Sequence, residues 1–307
     1  VEEGGVMKKD RIIREVDTSL DMERVVSALR SVLGSDRVHA GLNSELGHPR
    51  AFVPSGVPDL DLVLDREGRG WPAGRIVEIY GGEATCKTGL GYALIAQAQR
   101  MGGGAILYPS EGNWDEWLAE QYGVDLDKLV LGDDETVEGI SDSWNKALDV
   151  AGTDGLLVGM IDSVAALSTK AELGEENLTR GRQAQIRAMM MSAALRKIGA
   201  RMPRSSAILF CVNQVRDNTD TTSYGDHKPK PPGGRALKFY ASVRLRLENI
   251  ARVTYERAGK KYVAGFKLRI IAEKNRLALP FSQAEIMLSY EKGLLPLKRK
   301  KKGKRRK

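Results

Sequence analysis

Residues 81–88 read GGEATCKT and lie between an apolar run, RIVEIY at 75–80, and a helix-forming stretch that extends to Arg100. Gly102, Gly103 and Gly104 then predict the end of that helix. In a strand-to-helix setting the pattern G-x-x-x-x-G-K-[ST] binds phosphate, because backbone N–H groups at the helix N-terminus surround the anion. The candidate cradle is Gly81, Gly82, Glu83, Ala84, Thr85, Cys86, Lys87, Thr88 and the following Gly89. Lys87 would reach the β- and γ-phosphates of a nucleotide, and Thr88 would offer its hydroxyl to Mg²⁺. Cys86 departs from the pattern, standing where a second glycine would let the backbone approach the phosphate without a Cβ in the way. The competing reading is a plain strand-to-helix turn with a chance Lys-Thr pair.

Three further strand ends carry polar residues that suit the same chemistry. LLVGMID (156–162) is an apolar run ending in Asp162, the form of an acid that holds Mg²⁺. AILYPSE (105–111) ends in Glu111, a carboxylate able to orient and deprotonate an attacking water. Its competing reading is an acid near a helix N-terminus, since Asp115 and Glu116 follow. AILFCVNQ (207–214) ends in Asn213–Gln214, amides placed to sense a γ-phosphate and to move the polar stretch after them. In an open parallel sheet, ligands bind outside the carboxyl ends of strands, so these four ends would meet.

The elements that must position them are short apolar strands alternating with helices. Ala105–Tyr108, Leu129–Leu131, Leu156–Ile161 and Ala207–Val212 read as strands buried on both faces. Helical stretches lie at Trp114–Tyr122, Ile140–Ala151 and Gln183–Ala200. The expected fold is α/β: a mostly parallel sheet flanked by helices. VRLRL (243–247) and FKLRI (266–270) alternate apolar with charged residues, which predicts antiparallel strands with one wet face at the C-terminal edge. Residues 19–33 follow a helical repeat, with Leu20, Val25, Leu29 and Leu33 on one face.

Composition narrows the class. The 307 residues are 42% hydrophobic, enough for a sizeable core, and hold 48 basic against 40 acidic residues. Nine of the bases fall in KRKKKGKRRK (298–307), so the remainder is nearly charge-balanced. Two cysteines, Cys86 and Cys211, and three scattered histidines suggest neither a zinc site nor a disulfide framework. The absence of a long apolar run and of a signal-peptide pattern predicts a cytoplasmic protein. The expected layout is a flexible N-terminus (1–18), an N-terminal helical segment (19–50), an α/β core (51–296) and a basic tail (297–307).

GWPAGRIVEIYGGEATCKT (70–88), MIDSVAALSTKAEL (160–173), MMSAALRK (190–197), PPGGRALKFYASVRL (231–245) and KNRLALPFSQAEI (274–286) together resemble the RecA-type recombinases in type, order and spacing. The likeness runs from about residue 20 to 296, and the family's C-terminal domain and acidic tail have no counterpart in it. The resemblance implies a RecA-like P-loop ATPase core that uses ATP and Mg²⁺. It also implies a helical filament on single-stranded DNA that pairs with homologous duplex DNA and exchanges strands.

Carried over by position, Lys87 and Thr88 resemble the family's nucleotide and Mg²⁺ ligands, Glu111 its catalytic glutamate, Asp162 its Mg²⁺-binding acid and Gln214 its γ-phosphate sensor. Asp115 matches an adenine-contacting acid, whereas Leu118 stands where the family has a stacking tyrosine, with Trp117 beside it. Lys274 and Arg276 fall where the family has a Lys-x-Lys pair reaching a neighbour's ATP, Arg adding a fork suited to phosphate. Lys238, Phe239 and Arg244 match interface positions.

Two DNA-facing loops are implied. The first, near Ala171–Gln185, draws charge from Arg180, Arg182 and Arg187, Met189 replacing an arginine of the family. The second, 215–234, contains Arg216, Tyr224, Lys228 and Lys230; Tyr224 would stack on a base. Cys86 implies slowed ATP turnover, or a thiol made oxidation-sensitive by a helix N-terminus. The leading expectation is a DNA-dependent ATPase and strand-exchange recombinase. The alternative is a RecA-like nucleotide- and DNA-binding accessory or structural filament protein with weak hydrolysis. The basic tail is read as an electrostatic tether for DNA or a solubilising run.

Overall fold

The computed structural model describes residues 21–34, 47–112, 114–174, 179–214 and 236–297. The chain divides into two compact units, residues 1–45 and 46–307. In the first unit, α1 spans Met22–Leu33, and Asp21 caps it by accepting from the Glu23 and Arg24 N–H groups. The helix starts there because the Asp21 carboxylate satisfies donors that the first turn leaves unpaired. Leu29 and Leu33, on the expected apolar face, are exposed.

The second unit opens with a small antiparallel pair, β1 (Phe52–Val53) and β2 (Trp71–Pro72), around α2 (Pro58–Leu64). Then follow β3 (Arg75–Gly81), α3 (Lys87–Arg100), β4 (Gly104–Tyr108), α4 (Glu116–Gln121), β5 (Leu129–Leu131) and α5 (Val137–Ala151). After these come β6 (Leu157–Asp162), α6 (Lys170–Gly174), α7 (Arg180–Arg201) and β7 (Ala207–Gln214). The last elements are α8 (Ala236–Tyr240), β8 (Val243–Arg257), β9 (Lys260–Asn275), β10 (Gln283–Ser289) and β11 (Gly293–Pro296).

Nine strands form one sheet in the order β11-β10-β9-β8-β3-β7-β6-β4-β5. The run from β8 to β5 is parallel and the run from β8 to β11 antiparallel, as the sequence predicts. α3 packs on one face with α2, burying Leu90, Tyr92, Leu94 and Ile95 against Val77, Met160 and Phe210. α5, α7 and α8 cover the other face through Ile140, Trp144, Leu195, Ile198 and Leu237. Covering both faces of the parallel strands explains their continuous apolar sequences.

Three expectations about these elements are corrected. β5 is an edge strand with Val130 and Leu131 exposed, not a strand buried on both faces. β8 and β9 are far longer than their alternating segments and meet at a two-residue turn, Ala258–Gly259, both at positive φ. Within the segment expected to form a first loop, near Ala171–Gln185, the described residues are largely helical, and α7 begins at Arg180, earlier than the expected helix at Gln183.

Candidate functional site

Every residue of β3 is buried, and the strand ends at Gly81. A Cβ on Gly81 would lie 2.6 Å from the Leu247 carbonyl oxygen, so the loop can leave the sheet here only as glycine. Thr85 then folds its hydroxyl back to donate to the Gly82 carbonyl at 2.9 Å. Ala84 and Cys86 both take left-handed backbone, with φ of 52° and 59°. Cys86 is the residue immediately before α3. Left-handed backbone there favours the glycine of the phosphate-binding pattern, and Cys86 holds it at a cost of roughly 1–2 kcal/mol.

Lys87, the first residue of α3, turns its Nζ over the loop and donates to the carbonyls of Gly82 (2.8 Å) and Gly81 (3.2 Å). Burial pulls the Lys87 pKa down, against the opposing fields of Asp162 and Glu111. The Cys86 thiol is pushed up to about 11 by burial, with Lys87 opposing. This runs against the expectation of an activated thiol: burial disfavours the thiolate by more than the Lys87 charge favours it.

The other strand ends converge on this loop. Gly81 is in register with Gln214, and Asp162 with Val212. Thr88 donates its hydroxyl to Asp162 Oδ2 at 2.6 Å. Burial raises the Asp162 pKa, partly offset by that bond. Glu111 Oε1 accepts from Gln214 Nε2 at 2.6 Å and from the hydroxyl of Ser163. Ser163 is also held at its carbonyl by the Ser110 hydroxyl at 2.7 Å. Lys87, Thr88, Asp162, Glu111 and Gln214 therefore form one cluster.

The remaining candidates lie elsewhere. Asp115 caps α4, accepting from Leu118 N–H at 2.9 Å, while Trp117 is 62% exposed and Leu118 packs on the core. Lys274 donates to the carbonyls of Lys238 (2.8 Å) and Phe239 (2.9 Å), and Phe239 is 65% exposed. Arg276 is exposed and lines a cavity of about 650 Å³ that also touches Arg75, Arg196 and Phe239.

Arg244 does not face outward. It is 5% exposed and ion-paired with Glu78, because β8 at this point is an interior strand beside β3. Arg187 is paired with Glu172 at 2.7 Å, so its charge is compensated within the chain, whereas Arg182 is exposed. Arg216, Tyr224, Lys228, Lys230 and the basic tail lie outside the described residues.

Sequence reasoning missed Ser163 and Glu78, and it gave Asn213 and Arg244 other roles than the buried set they form with Glu78. The signals were present: a serine directly after a strand-ending aspartate, and an acid in the middle of the apolar strand RIVEIY.

Among the described residues no three His, Cys, Asp or Glu side chains group as a metal site. One hydroxyl and one carboxylate, Thr88 and Asp162, are the donors on offer. That set fits Mg²⁺, which is commonly held by one or two carboxylates, water and substrate phosphates. No helix among the described residues is long and apolar enough to cross a membrane.

A strand, a phosphate-type loop and a helix on a parallel sheet, with polar residues at the neighbouring strand ends, define a P-loop nucleotide-binding protein. Comparison with known proteins narrows the class: the model of the RecA N-terminal domain matches residues 26–295, and the chain belongs to the RecA family. Protein RecA of Thermus thermophilus is 39% identical over 249 residues, covering 80% of this chain and 68% of the relative. Protein RecA of Oceanobacillus iheyensis is 38% identical over 250 residues, covering 80% and 67%. Protein RecA of Francisella philomiragia is 36% identical over 258 residues, covering 80% and 65%. The chain thus spans about two thirds of these relatives' length.

Proposed function

We propose that this RecA-family chain is a DNA-dependent ATPase that assembles as a filament on single-stranded DNA and exchanges strands with a homologous duplex. The observation that carries the reading is the joining of Glu111 and Gln214 beside Lys87 and the Thr88–Asp162 pair. A turn that met Lys-Thr by chance has no need of a base and an amide at the next strand ends.

In this reading Lys87 leaves the Gly81 and Gly82 carbonyls to bind the β- and γ-phosphates. Thr88 and Asp162 hold Mg²⁺, which when bound neutralises phosphate charge. Glu111 orients a water and accepts its proton as the water attacks the γ-phosphorus, whose bond to the β–γ bridging oxygen breaks so that ADP and phosphate leave. Gln214, one residue before the second DNA-facing segment, binds the γ-phosphate while it is present. Asp115 stands near the base of the nucleotide. Lys274 and Arg276 have no described contact with Lys87, which suits action on the nucleotide of a neighbouring copy. Lys238 and Phe239, which hold Lys274, belong to that same contact. Arg182 and the candidates at 180, 216, 224, 228 and 230 supply the DNA contacts.

Cys86 favours a second reading, a nucleotide- and DNA-binding filament protein with weak hydrolysis, because a non-glycine residue holds left-handed backbone at the phosphate loop. Phosphate release from ATP, measured with and without single-stranded DNA, separates the two. The first reading expects stimulation by DNA that Lys87→Ala abolishes. Filament formation without hydrolysis selects the second, and ATP-dependent strand exchange by Lys87→Ala overturns the mechanism.

A further inference from the structure

A carboxylate sits in the middle of the sheet. Glu78 on β3 is 1% exposed, and its register partners are Cys211 on β7 and Arg244 on β8. Each of its oxygens is committed: Oε1 accepts from Asn213 Nδ2 at 3.1 Å, and Oε2 accepts from Arg244 Nε. Asn213, also 1% exposed, accepts the main-chain N–H of Gln214 on its Oδ1 at 3.0 Å. On the far side the Arg244 guanidinium lies over the Tyr80 ring, 4.9 Å from its centroid, and Tyr80 donates to Glu273. Arg244 is also the register partner of Lys274.

Stability does not explain this arrangement, since apolar residues of similar volume replace a buried ion pair at little or no loss. What a fully committed carboxylate supplies is direction. It fixes the Asn213 amide, and the other end of that amide fixes the backbone from which Gln214 reaches Glu111. The geometry points to Glu78 and Asn213 as positioning residues for Gln214, with Arg244 anchoring Glu78 to the strand pair that carries Lys274. The inference rests on the role proposed above for Gln214, but the placement of Gln214 is measurable by itself.

The test is Asn213→Ala, which leaves the Glu78–Arg244 pair intact, read in two ways. The first is the side-chain amide resonance of Gln214, assigned by its loss in Gln214→Ala. It should move toward the position of a free glutamine amide in Asn213→Ala, while the midpoint of thermal unfolding falls modestly because Glu78 Oε1 loses its donor. The double variant Asn213→Asp with Glu78→Gln, which rebuilds the bond with donor and acceptor exchanged, should return it. An unmoved resonance in Asn213→Ala overturns the inference whether or not the chain hydrolyses ATP.

The second readout is turnover. Asn213→Ala should lower kcat roughly 10- to 100-fold with KM nearly unchanged, and should add nothing to the loss in Gln214→Ala. An equal further loss in the Gln214→Ala background makes Asn213 merely structural and overturns the inference. A wild-type chain without hydrolysis overturns the proposed ATPase, and the resonance then decides the positioning role alone.

Discussion

Gln214 donates its side-chain amide to Glu111 Oε1 across 2.6 Å, and Ser163 donates its hydroxyl to the same oxygen. The amide suited to a γ-phosphate and the carboxylate suited to a water thus hold each other. In the proposed mechanism a phosphate that drew the Gln214 amide away would free one acceptor position on Glu111 Oε1, with Ser163 keeping its bond to the same oxygen. On that proposal, the Gln214–Glu111 hydrogen bond would couple phosphate binding to activation of the base.

Glu111→Gln keeps the shape and an acceptor while removing the base. It is expected to lower kcat by about 10²- to 10⁴-fold, the usual worth of a positioned base, with nucleotide affinity changed by no more than about twofold. Steady-state phosphate release and equilibrium binding of a fluorescent ATP analogue check this. Wild-type turnover by Glu111→Gln would remove Glu111 from the chemistry.

Cys86→Gly removes a side chain from left-handed backbone. Relief of about 1–2 kcal/mol is offset by the roughly 0.5–1 kcal/mol of extra backbone freedom that glycine gives the unfolded chain. Unfolding free energy should therefore rise by no more than about 1.5 kcal/mol, while kcat rises because the loop closes on phosphate without a Cβ. In the wild type, a Cys86 thiol pushed up to about 11 should alkylate slowly with iodoacetamide at neutral pH. Rapid alkylation would show that the thiolate is stabilised after all.

The site was legible where an apolar run ended in a polar residue. Glu111, Asp162 and Gln214 each interrupt a strand-like pattern at the edge where a parallel sheet binds ligands. What was hidden needed tertiary knowledge. The alternation VRLRL placed Arg244 on a wet face, yet β8 lies beside β3 and the arginine meets Glu78 instead. The outer half of β8 and its partner in β9 are exposed on both faces, so no periodicity marked their length. Arg180 and Arg182 read as loop because the first turns of α7 are polar, and its buried face begins only at Met191.

Gly159 on β6 faces the indole of buried Trp144, and a Cβ there would lie 2.4 Å from Cζ3. Gly159→Ala overpacks this layer and is expected to destabilise the chain by about 1–3 kcal/mol, measured by urea unfolding. Among the described residues Trp144 Nε1 has no hydrogen-bond partner, so Trp144→Phe forfeits none there. Added to Gly159→Ala, it should recover part of the loss by vacating the contested volume. Additive destabilisation in the double variant would count against the contact.

Lys274 has a pKa lowered to about 8, first by burial and then by Arg276 and Arg244. Lys238 on α8 adds to the effect and Glu78 on β3 opposes it. Below about pH 8 the ammonium is charged in both folded and unfolded chains, and the folded state bears the cost of burying it. Between about 8 and the ordinary lysine value near 10.4, the unfolded chain binds more protons, so this group makes stability rise with pH. Its function runs the other way. If Lys274 contacts a neighbour's phosphates, ATP-dependent assembly should weaken as pH rises through about 8, even as stability does not. Lys274→Arg keeps its charge across this window and should hold assembly to higher pH. Sedimentation of ATP-dependent assemblies from about pH 6.5 to 9.5 measures both chains. Because Lys87 also titrates early and is common to both, identical profiles would assign the pH dependence to the phosphate loop and not to Lys274.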